Sequence, residues 1–256
     1  MPDNFNMIAS LLRKIVPERF RPIGYLTHLT RERTGCRVRA GSFAGLRYVS
    51  NSVGSAYLPK LLGIYERELS AQVESICSSK PRLIVDIGAA EGYYAIGLAR
   101  RNPQALIVAF EMESRGQSTL REMAGLNNVA DRIEVGGKCE APDLVAALGD
   151  TPAPVVVCDV EGYEGKLLDP QAVPALRQAF ILVELHDFII PGITEKLKER
   201  FGATHRIEHI WQRPRSRADF PWHTFGTALL PKSYLDWAVS EWRPVQMSWL
   251  WMVPHI

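Results

Sequence analysis

The chain has 256 residues, of which 46% are hydrophobic and 23% are charged, and its formal net charge is +2. A chain of this length can bury a full core as one elaborated domain, so this composition excludes a disordered chain, a coiled coil and a collagen-like repeat. The nearly balanced charge argues against a protein that binds nucleic acid through many phosphate contacts.

The basic charge is concentrated at the N-terminus, because residues 1–50 carry nine Lys and Arg against three Asp and Glu. This segment faces solvent, an acidic membrane surface or an anionic partner. We predict neither a secretory leader nor a transmembrane segment, since Arg13 and Lys14 interrupt the apolar run MIASLLRKIV. The four cysteines lack metal-like CxxC spacing, and we therefore predict reduced thiols in a cytoplasmic protein.

An N-terminal extension is predicted over residues 1–58. A short amphipathic helix and a loose basic connection are expected within residues 1–35, and a β-hairpin over residues 36–50, where polarity alternates around glycines. The main domain is expected over residues 59–232, and its first part, 59–79, predicts a single helix from the spacing of its apolar residues.

From residue 82 onward, strands and helices alternate in five units. The predicted strands are LIVDIG, ALIVAFE, RIEVGG, PVVVCDV and FILVELHDF, and a helix follows each of them. Continuous apolar runs that alternate with helices indicate a parallel sheet covered on both faces. The alternation ends at THRIEHIWQ and HTFGTALLP, which predict an antiparallel pair of strands joined by a loop.

The C-terminal segment 233–256 is apolar and aromatic, and all six tryptophans lie from Trp211 onward. We expect this tail to pack on the domain; a homodimer face and a contact with the acceptor are the alternatives. The loop that carries Arg213, Arg215 and Arg217 is either solvated or holds an anionic acceptor, such as a phosphorylated or carboxylated sugar.

The strongest local pattern is VDIGAAEGYYA, which has the form of a strand, a glycine-rich turn and a helix. Gly88 and Gly92 let a ligand approach the backbone closely. The pattern differs from the dinucleotide fingerprint GxGxxG, and Asp86 and Glu91 would repel a pyrophosphate. Glu111 ends the next strand, where an acid typically binds both hydroxyls of a ribose. The pattern therefore favours an amino-acid-bearing nucleoside such as S-adenosylmethionine over NAD.

With this loop the chain resembles the class I S-adenosylmethionine-dependent methyltransferases over roughly residues 80–232. The resemblance implies an α/β fold with a Rossmann-like seven-stranded sheet whose last strand is antiparallel, and S-adenosylmethionine as the cofactor. It also implies that Met112 packs on the adenine and that the segment Gly137 to Cys139 contacts the adenine edge. The implied cofactor-binding residues are Asp86, Gly88, Ala90, Glu91, Gly92, Tyr93, Glu111, Met112, Lys138, Cys139 and Asp159.

Two further motifs are similar to those of the FkbM family of methyltransferases. The first is D-x-E-G-x-E after the fourth strand, formed by Asp159, Glu161 and Glu164. The second is E-x-H after the fifth strand, formed by Glu184 and His186. Because members of that family methylate hydroxyls, often on sugars or polyketides, the resemblance implies O-methylation of a small molecule or a sugar.

Methyl transfer to a hydroxyl requires a base, and His186 is the natural candidate because its unperturbed pKa is about 6.5. Asp159 or Glu184 either orients the histidine or serves as the base. The same groups could hold a divalent cation, but no second histidine lies at ligand spacing, and we predict no metal. The alternative functions are an N-methyltransferase, an NAD-type oxidoreductase and a non-catalytic scaffold that binds S-adenosylmethionine.

Overall fold

The computed structural model describes residues 21–50 and 56–255. The amphipathic helix expected around MIASLLRKIV lies outside these residues. Part of the connection expected after it is instead helix α1, Pro22–Thr34, which ends at a left-handed Gly35. Within the described ranges, every helix is too short or too polar to cross a bilayer.

The segment 36–50 turns back on itself, as the predicted hairpin does. It pairs through an isolated antiparallel bridge between Arg37 and Arg47, next to a hydrogen bond of 2.8 Å from the Val38 amide to the Leu46 carbonyl. Val38 and Leu46 are buried in the main core. Packing, more than a regular strand ladder, therefore holds this turn.

The prediction of a single helix before the first core strand is wrong, because the chain forms two helices there. They are α2, Tyr57–Leu62, and α3, Ser70–Ser79. Gly63 ends α2 with a φ of 73°, and a Cβ at this position would lie 2.0 Å from the carbonyl oxygen of Ala40. Apolar residues continue across the break, so periodicity alone could not reveal it.

Five strand–helix units follow and confirm the predicted alternation. The strands are β1 Leu83–Ile87, β2 Leu106–Phe110, β3 Ile133–Gly136, β4 Val155–Cys158 and β5 Phe180–Leu185. The helices that follow them in turn are α4 Tyr93–Arg101, α5 Ser114–Leu126, α6 Ala141–Leu148, α7 Glu164–Leu167 and α8 Ile193–Phe201. The five strands are parallel, and a hydrophobic core covers each face of the sheet.

Two more strands complete the sheet: β6, His205–Trp211, and β7, Ser248–Pro254. Strand β7 lies between β5 and β6 and is antiparallel to both. The strand order is β3-β2-β1-β4-β5-β7-β6. This is a Rossmann-like, seven-stranded sheet in which the last strand is antiparallel to its neighbours, as the resemblance implies.

The prediction that HTFGTALLP forms the final strand is wrong. HTFGTALLP contains helix α9, Phe225–Leu229, and helix α10, Lys232–Val239, follows it. A strand inside a sheet needs apolar residues on both faces, whereas Phe225 and Leu229 are 83% and 70% exposed. The tryptophan-rich tail has apolar residues on both faces and forms strand β7 of the sheet. The prediction of a tail that packs on a domain ending at residue 232 is therefore corrected.

The contribution of this strand to stability is tested at Trp249, which lies on β7 between β5 and β6 and is 2% exposed. We expect Trp249→Ala to lower the free energy of unfolding by about 3–5 kcal/mol, since it leaves a large cavity in the core. Urea denaturation followed by circular dichroism measures the change. Trp242→Ala is the matched control, because Trp242 is 57% exposed; equal losses in the two variants would contradict this account.

Candidate functional site

A cavity of about 330 Å³ lies at the carboxyl edge of the sheet, where ligands bind in open α/β folds. The loop after β1, Glu111 after β2 and Asp159 after β4 form one wall, and Glu184 near the end of β5 lies beside them. Segment 64–69 and Arg243 contribute further lining residues. The parallel strands thus bring together side chains that are far apart in sequence.

The predicted glycine turn lines the cavity as part of this wall. Gly88 has a φ of +82°, and a Cβ there would lie 1.7 Å from the carbonyl oxygen of Asp159. Ala90, which is also left-handed, donates its amide to Oε2 of Glu111 at 2.8 Å. The turn is therefore packed against the ends of both neighbouring strands and leaves its backbone facing the cavity.

The carboxylate of Glu111 is held in place by backbone amides. Its Oε1 accepts from the Glu113 amide at 2.7 Å, while its Oε2 accepts from Ala90. Met112 follows directly, lines the cavity and is 68% exposed. The loop after β2 therefore presents an acid beside an accessible apolar side chain.

Asp86 is buried with an unsatisfied oxygen. The residue is 3% exposed, and its Oδ2 has no hydrogen-bond partner among the described residues. Burial, reinforced by the nearby carboxylates of Asp159 and Glu111, raises the pKa of Asp86 to about 7. A buried carboxylate oxygen without a partner in a cavity wall is suited to a ligand that is cationic or donates a hydrogen bond.

Of the predicted cofactor-binding residues, all except Glu91 and Gly92 line the cavity. Glu91 is completely buried on the other side of the turn, where it accepts from the Lys60 ammonium at 2.5 Å and from the Tyr48 hydroxyl. The expected contact between Glu91 and a ligand is therefore corrected to a structural ion pair. Lys138 lines the cavity and pairs with Glu140.

The structure brings the predicted catalytic residues together, because one potential ligand atom from each of Asp159, Glu184 and His186 lies within 4.8 Å of the others. His186 is 1% exposed and lies behind the cavity wall. Its Nε2 is 3.6 Å from Oδ1 of Asp159 and 3.4 Å from Oε2 of Glu161. Asp159, not His186, therefore faces the ligand space.

Glu164 is the residue whose role the sequence did not show. It is completely buried, and its Oε1 lies 2.6 Å from Nδ1 of His186 while it accepts from the amides of Val160 and Gly162. Burial lowers the pKa of His186, but the hydrogen bond to Glu164 and the neighbouring carboxylates outweigh it and raise that pKa. The contact joins the two sequence motifs and favours a positively charged imidazolium.

Asp159 and Glu184 have raised affinities for a proton. Burial raises the pKa of Asp159 to about 6, and the charge of His186 opposes this shift. The Asp159 side chain is 41% exposed and lines the cavity. Burial and the charges of Asp159 and Glu66 raise the pKa of Glu184, although Nη1 of Arg243 lies 2.7 Å from its carboxylate.

Of the two possibilities for the loop after β6, a solvated loop and an anion site, the positions of Arg215 and Arg217 do not support an anion site. Arg215 has a side chain that is 2% exposed, and its guanidinium lies 2.6 Å from both Glu68 and Glu241. Arg217 lies 3.8 Å from Asp236. Arg243 instead reaches the cavity and donates to the Tyr65 hydroxyl at 3.1 Å and to Glu66.

No protein-family model matches the chain, and neither does any curated protein. Among solved structures, a candidate O-methyltransferase from Klebsiella pneumoniae is 14% identical, with 96% of this chain and 95% of that chain covered and a TM-score of 0.48. Cofactor-bound Rv0187 from MTB is 19% identical, with 71% and 79% covered and a TM-score of 0.47.

The O-methyltransferase TomG from Streptomyces achromogenes, solved in complex with SAM, is 15% identical, with 78% of this chain and 92% of that chain covered and a TM-score of 0.47. At such identities and scores these similarities assign neither an activity nor a substrate to the chain. The fold is defined by the strand order β3-β2-β1-β4-β5-β7-β6.

The buried carboxyl of Asp86 makes a prediction for stability. Because its pKa rises from 3.8 to about 7 on folding, its contribution to stability is present below pH 4 and is lost as the pH rises through about 7. Relative to wild type, Asp86→Asn should gain about 2–3 kcal/mol of unfolding free energy between pH 5 and pH 8. Urea denaturation at both values measures this, with the exposed Asp131→Asn as control; a difference that does not change with pH would contradict the assignment.

Proposed function

We propose that the chain is an S-adenosylmethionine-dependent methyltransferase that methylates a hydroxyl group of a small molecule. The observation that carries this proposal is the pair of acids at adjacent strand ends, Asp86 and Glu111, on either side of the left-handed turn at Gly88. The turn exposes backbone to a ligand, and the acids suit an ammonium group and a ribose.

The cavity fits such a cofactor by its own chemistry. The unsatisfied Oδ2 of Asp86 would accept from the ammonium group of the methionine part. Glu111 would accept from the ribose hydroxyls, Met112 would pack on the adenine, and the backbone around Lys138 would contact the adenine edge. A dinucleotide suits the cavity less well, because its pyrophosphate would face these carboxylates and the turn lacks the GxGxxG spacing.

When bound, S-adenosylmethionine supplies an electrophilic methyl group on its sulfonium. Asp159 faces the cavity with a pKa near 6 and is therefore matched to accept a proton at neutral pH. Asp159 would take the proton of the acceptor hydroxyl as its oxygen bonds to the methyl carbon, and the carbon–sulfur bond of the cofactor would break to leave S-adenosylhomocysteine. The imidazolium of His186, held by Glu164, then orients and partly neutralises this carboxylate.

The D-x-E-G-x-E and E-x-H motifs support assignment to the FkbM type of methyltransferase. In this chain they act as one unit, because Glu164 of the first motif hydrogen-bonds His186 of the second. Asp159 and Glu161 of the first motif lie on the other side of the same ring. The assignment favours an oxygen acceptor, whose proton must be removed, over a nitrogen acceptor, whose lone pair needs less help.

Binding of the cofactor is tested at Glu111. Glu111→Gln should weaken binding of S-adenosylmethionine by about 10–100-fold, because hydrogen bonds to an ionised carboxylate contribute about 1.5–3 kcal/mol. Isothermal titration calorimetry with S-adenosylmethionine, S-adenosylhomocysteine and NAD measures the effect. The exposed Glu122→Gln on α5 is the matched control; a wild type that binds NAD but not S-adenosylmethionine would refute the proposal.

The base is tested at Asp159 by single-turnover methyl transfer. The wild-type rate should rise with pH through about 6, because the carboxylate must lose its proton before it can act as a base. Asp159→Asn should lower the rate by about 100–10,000-fold and abolish this dependence, with the affinity for S-adenosylmethionine nearly unchanged. If His186→Ala loses the rate while Asp159→Asn retains it, the histidine is the base.

A further inference from the structure

Helix α9 carries the two large hydrophobic side chains that are the most exposed among the described residues. Phe225 is 83% exposed and Leu229 is 70% exposed. Because they are four positions apart, they lie on the same face of the helix, and Ala228 beside them is also exposed. Single exposed hydrophobic residues are common on protein surfaces, but an adjacent pair this exposed indicates a surface that another molecule covers. Phe225 and Leu229 are called the apolar pair below.

The opposite face of α9 is fixed to the rest of the protein. Thr224 caps the helix by accepting from the Thr227 amide at 3.2 Å, and Thr227 is 3% exposed. The Tyr25 hydroxyl of α1 lies 3.2 Å from Oγ1 of Thr224. A Cβ at Gly226 would lie 2.3 Å from the oxygen of the same hydroxyl, so α9 packs directly on α1 at this point. These contacts hold the apolar pair on the outer face of the helix.

The stretch of chain around the apolar pair carries basic and no acidic side chains. Residues 220–235 contain His223 and Lys232, both exposed, but neither Asp nor Glu. The acids on either side of this stretch, Asp219 and Asp236, are each paired with an arginine. Positive charge beside exposed apolar side chains is complementary to a surface of anionic lipids.

The N-terminal segment adds positive charge beside the same helix. Residues 1–50 contain nine Lys and Arg against three Asp and Glu, and they include α1, on which α9 packs. The Tyr25 amide donates to the Arg21 carbonyl at 2.7 Å, so the described chain begins one helical turn from the contact with α9. Among the described residues of this segment, none lines the cavity, and its charge therefore serves no role in the proposed reaction.

A bilayer suits this surface better than a second copy of the chain does. A stable interface between proteins buries about 800 Å² on each partner, which is far more than the apolar pair and one alanine supply. A membrane interface requires no matching shape. Exposed aromatic and aliphatic side chains enter the boundary between headgroups and acyl chains, while basic side chains remain beside the lipid phosphates.

We infer that helix α9 and the basic N-terminal segment form a docking surface for a membrane that contains anionic lipids. Phe225 and Leu229 enter the interface, and Lys232 and the basic side chains of residues 1–50 bind the headgroups. The inference goes beyond the proposed function, because it requires neither S-adenosylmethionine nor turnover.

The docking surface is tested by sedimentation of the full chain with vesicles, either of phosphatidylcholine alone or of an equal mixture of phosphatidylcholine and phosphatidylglycerol. We expect binding to the mixed vesicles, weaker binding to the neutral ones, and a loss of affinity as salt is added, because ions screen the charges. Phe225→Ser/Leu229→Ser should lower the affinity by about 10–100-fold, since the two side chains no longer bury apolar surface. Lys232→Gln should lower it by about fivefold.

Trp242→Ser/Val245→Ser is the matched control, because it removes two other exposed hydrophobic side chains, which lie on the connection before β7 and are 57% and 44% exposed. Its affinity for the mixed vesicles should equal that of the wild type. Circular dichroism establishes that each variant is folded, as expected for substitutions at exposed positions.

An absence of binding by the wild type, equal binding to the neutral and mixed vesicles, or an unchanged affinity in Phe225→Ser/Leu229→Ser would overturn the inference. A second copy of the chain as the occupant has a different signature. The wild type would then be a dimer in light scattering, the Phe225→Ser/Leu229→Ser variant would be a monomer, and neither would bind vesicles. Failure of the proposed function is recognised separately, because a protein that does not bind S-adenosylmethionine would still give each of these vesicle measurements.

Discussion

Burial of carboxylates at the ends of parallel strands is the constraint on which the site depends. Asp86, Asp159 and Glu184 come from β1, β4 and β5, and the sheet brings them to one edge within a wall that excludes much of the water. Removing a carboxylate from water penalises its charged form, which explains why the pKa values of all three are raised. Each of these acids is therefore either protonated, paired with a cation or available to a ligand that donates a hydrogen bond or carries positive charge.

The cations that stabilise this edge come from segments far from the strands. His186, fixed by Glu164, lies behind Asp159, while Arg243 reaches Glu184 from the connection before β7. Lys60 of α2 neutralises Glu91 under the glycine turn. Such pairs limit the cost of burial, because an unpaired charge in this environment would be much more expensive than a paired one. They also fix the carboxylates in position before any ligand arrives.

The insertion of β7 links the fold to the site. The strand places Trp249 in the cavity wall and brings the preceding Arg243 to the same opening. The segment before α3 closes the opposite side, because the break at Gly63 carries Tyr65 and Glu66 to Arg243. The cavity is therefore built by parts of the chain that precede and follow the alternating strands and helices.

The parallel units, the glycine turn and the acids that follow the strands could all be predicted from the amino-acid sequence. These features are local: apolar runs specify buried strands, and strand ends of a parallel sheet share an edge. That the tail forms β7, and HTFGTALLP does not, could not be predicted, since strand pairing depends on which segment can bury both of its faces. Nor could it be predicted that Glu91 faces Lys60 and that Glu164 holds His186, because the direction of a side chain depends on partners distant in sequence.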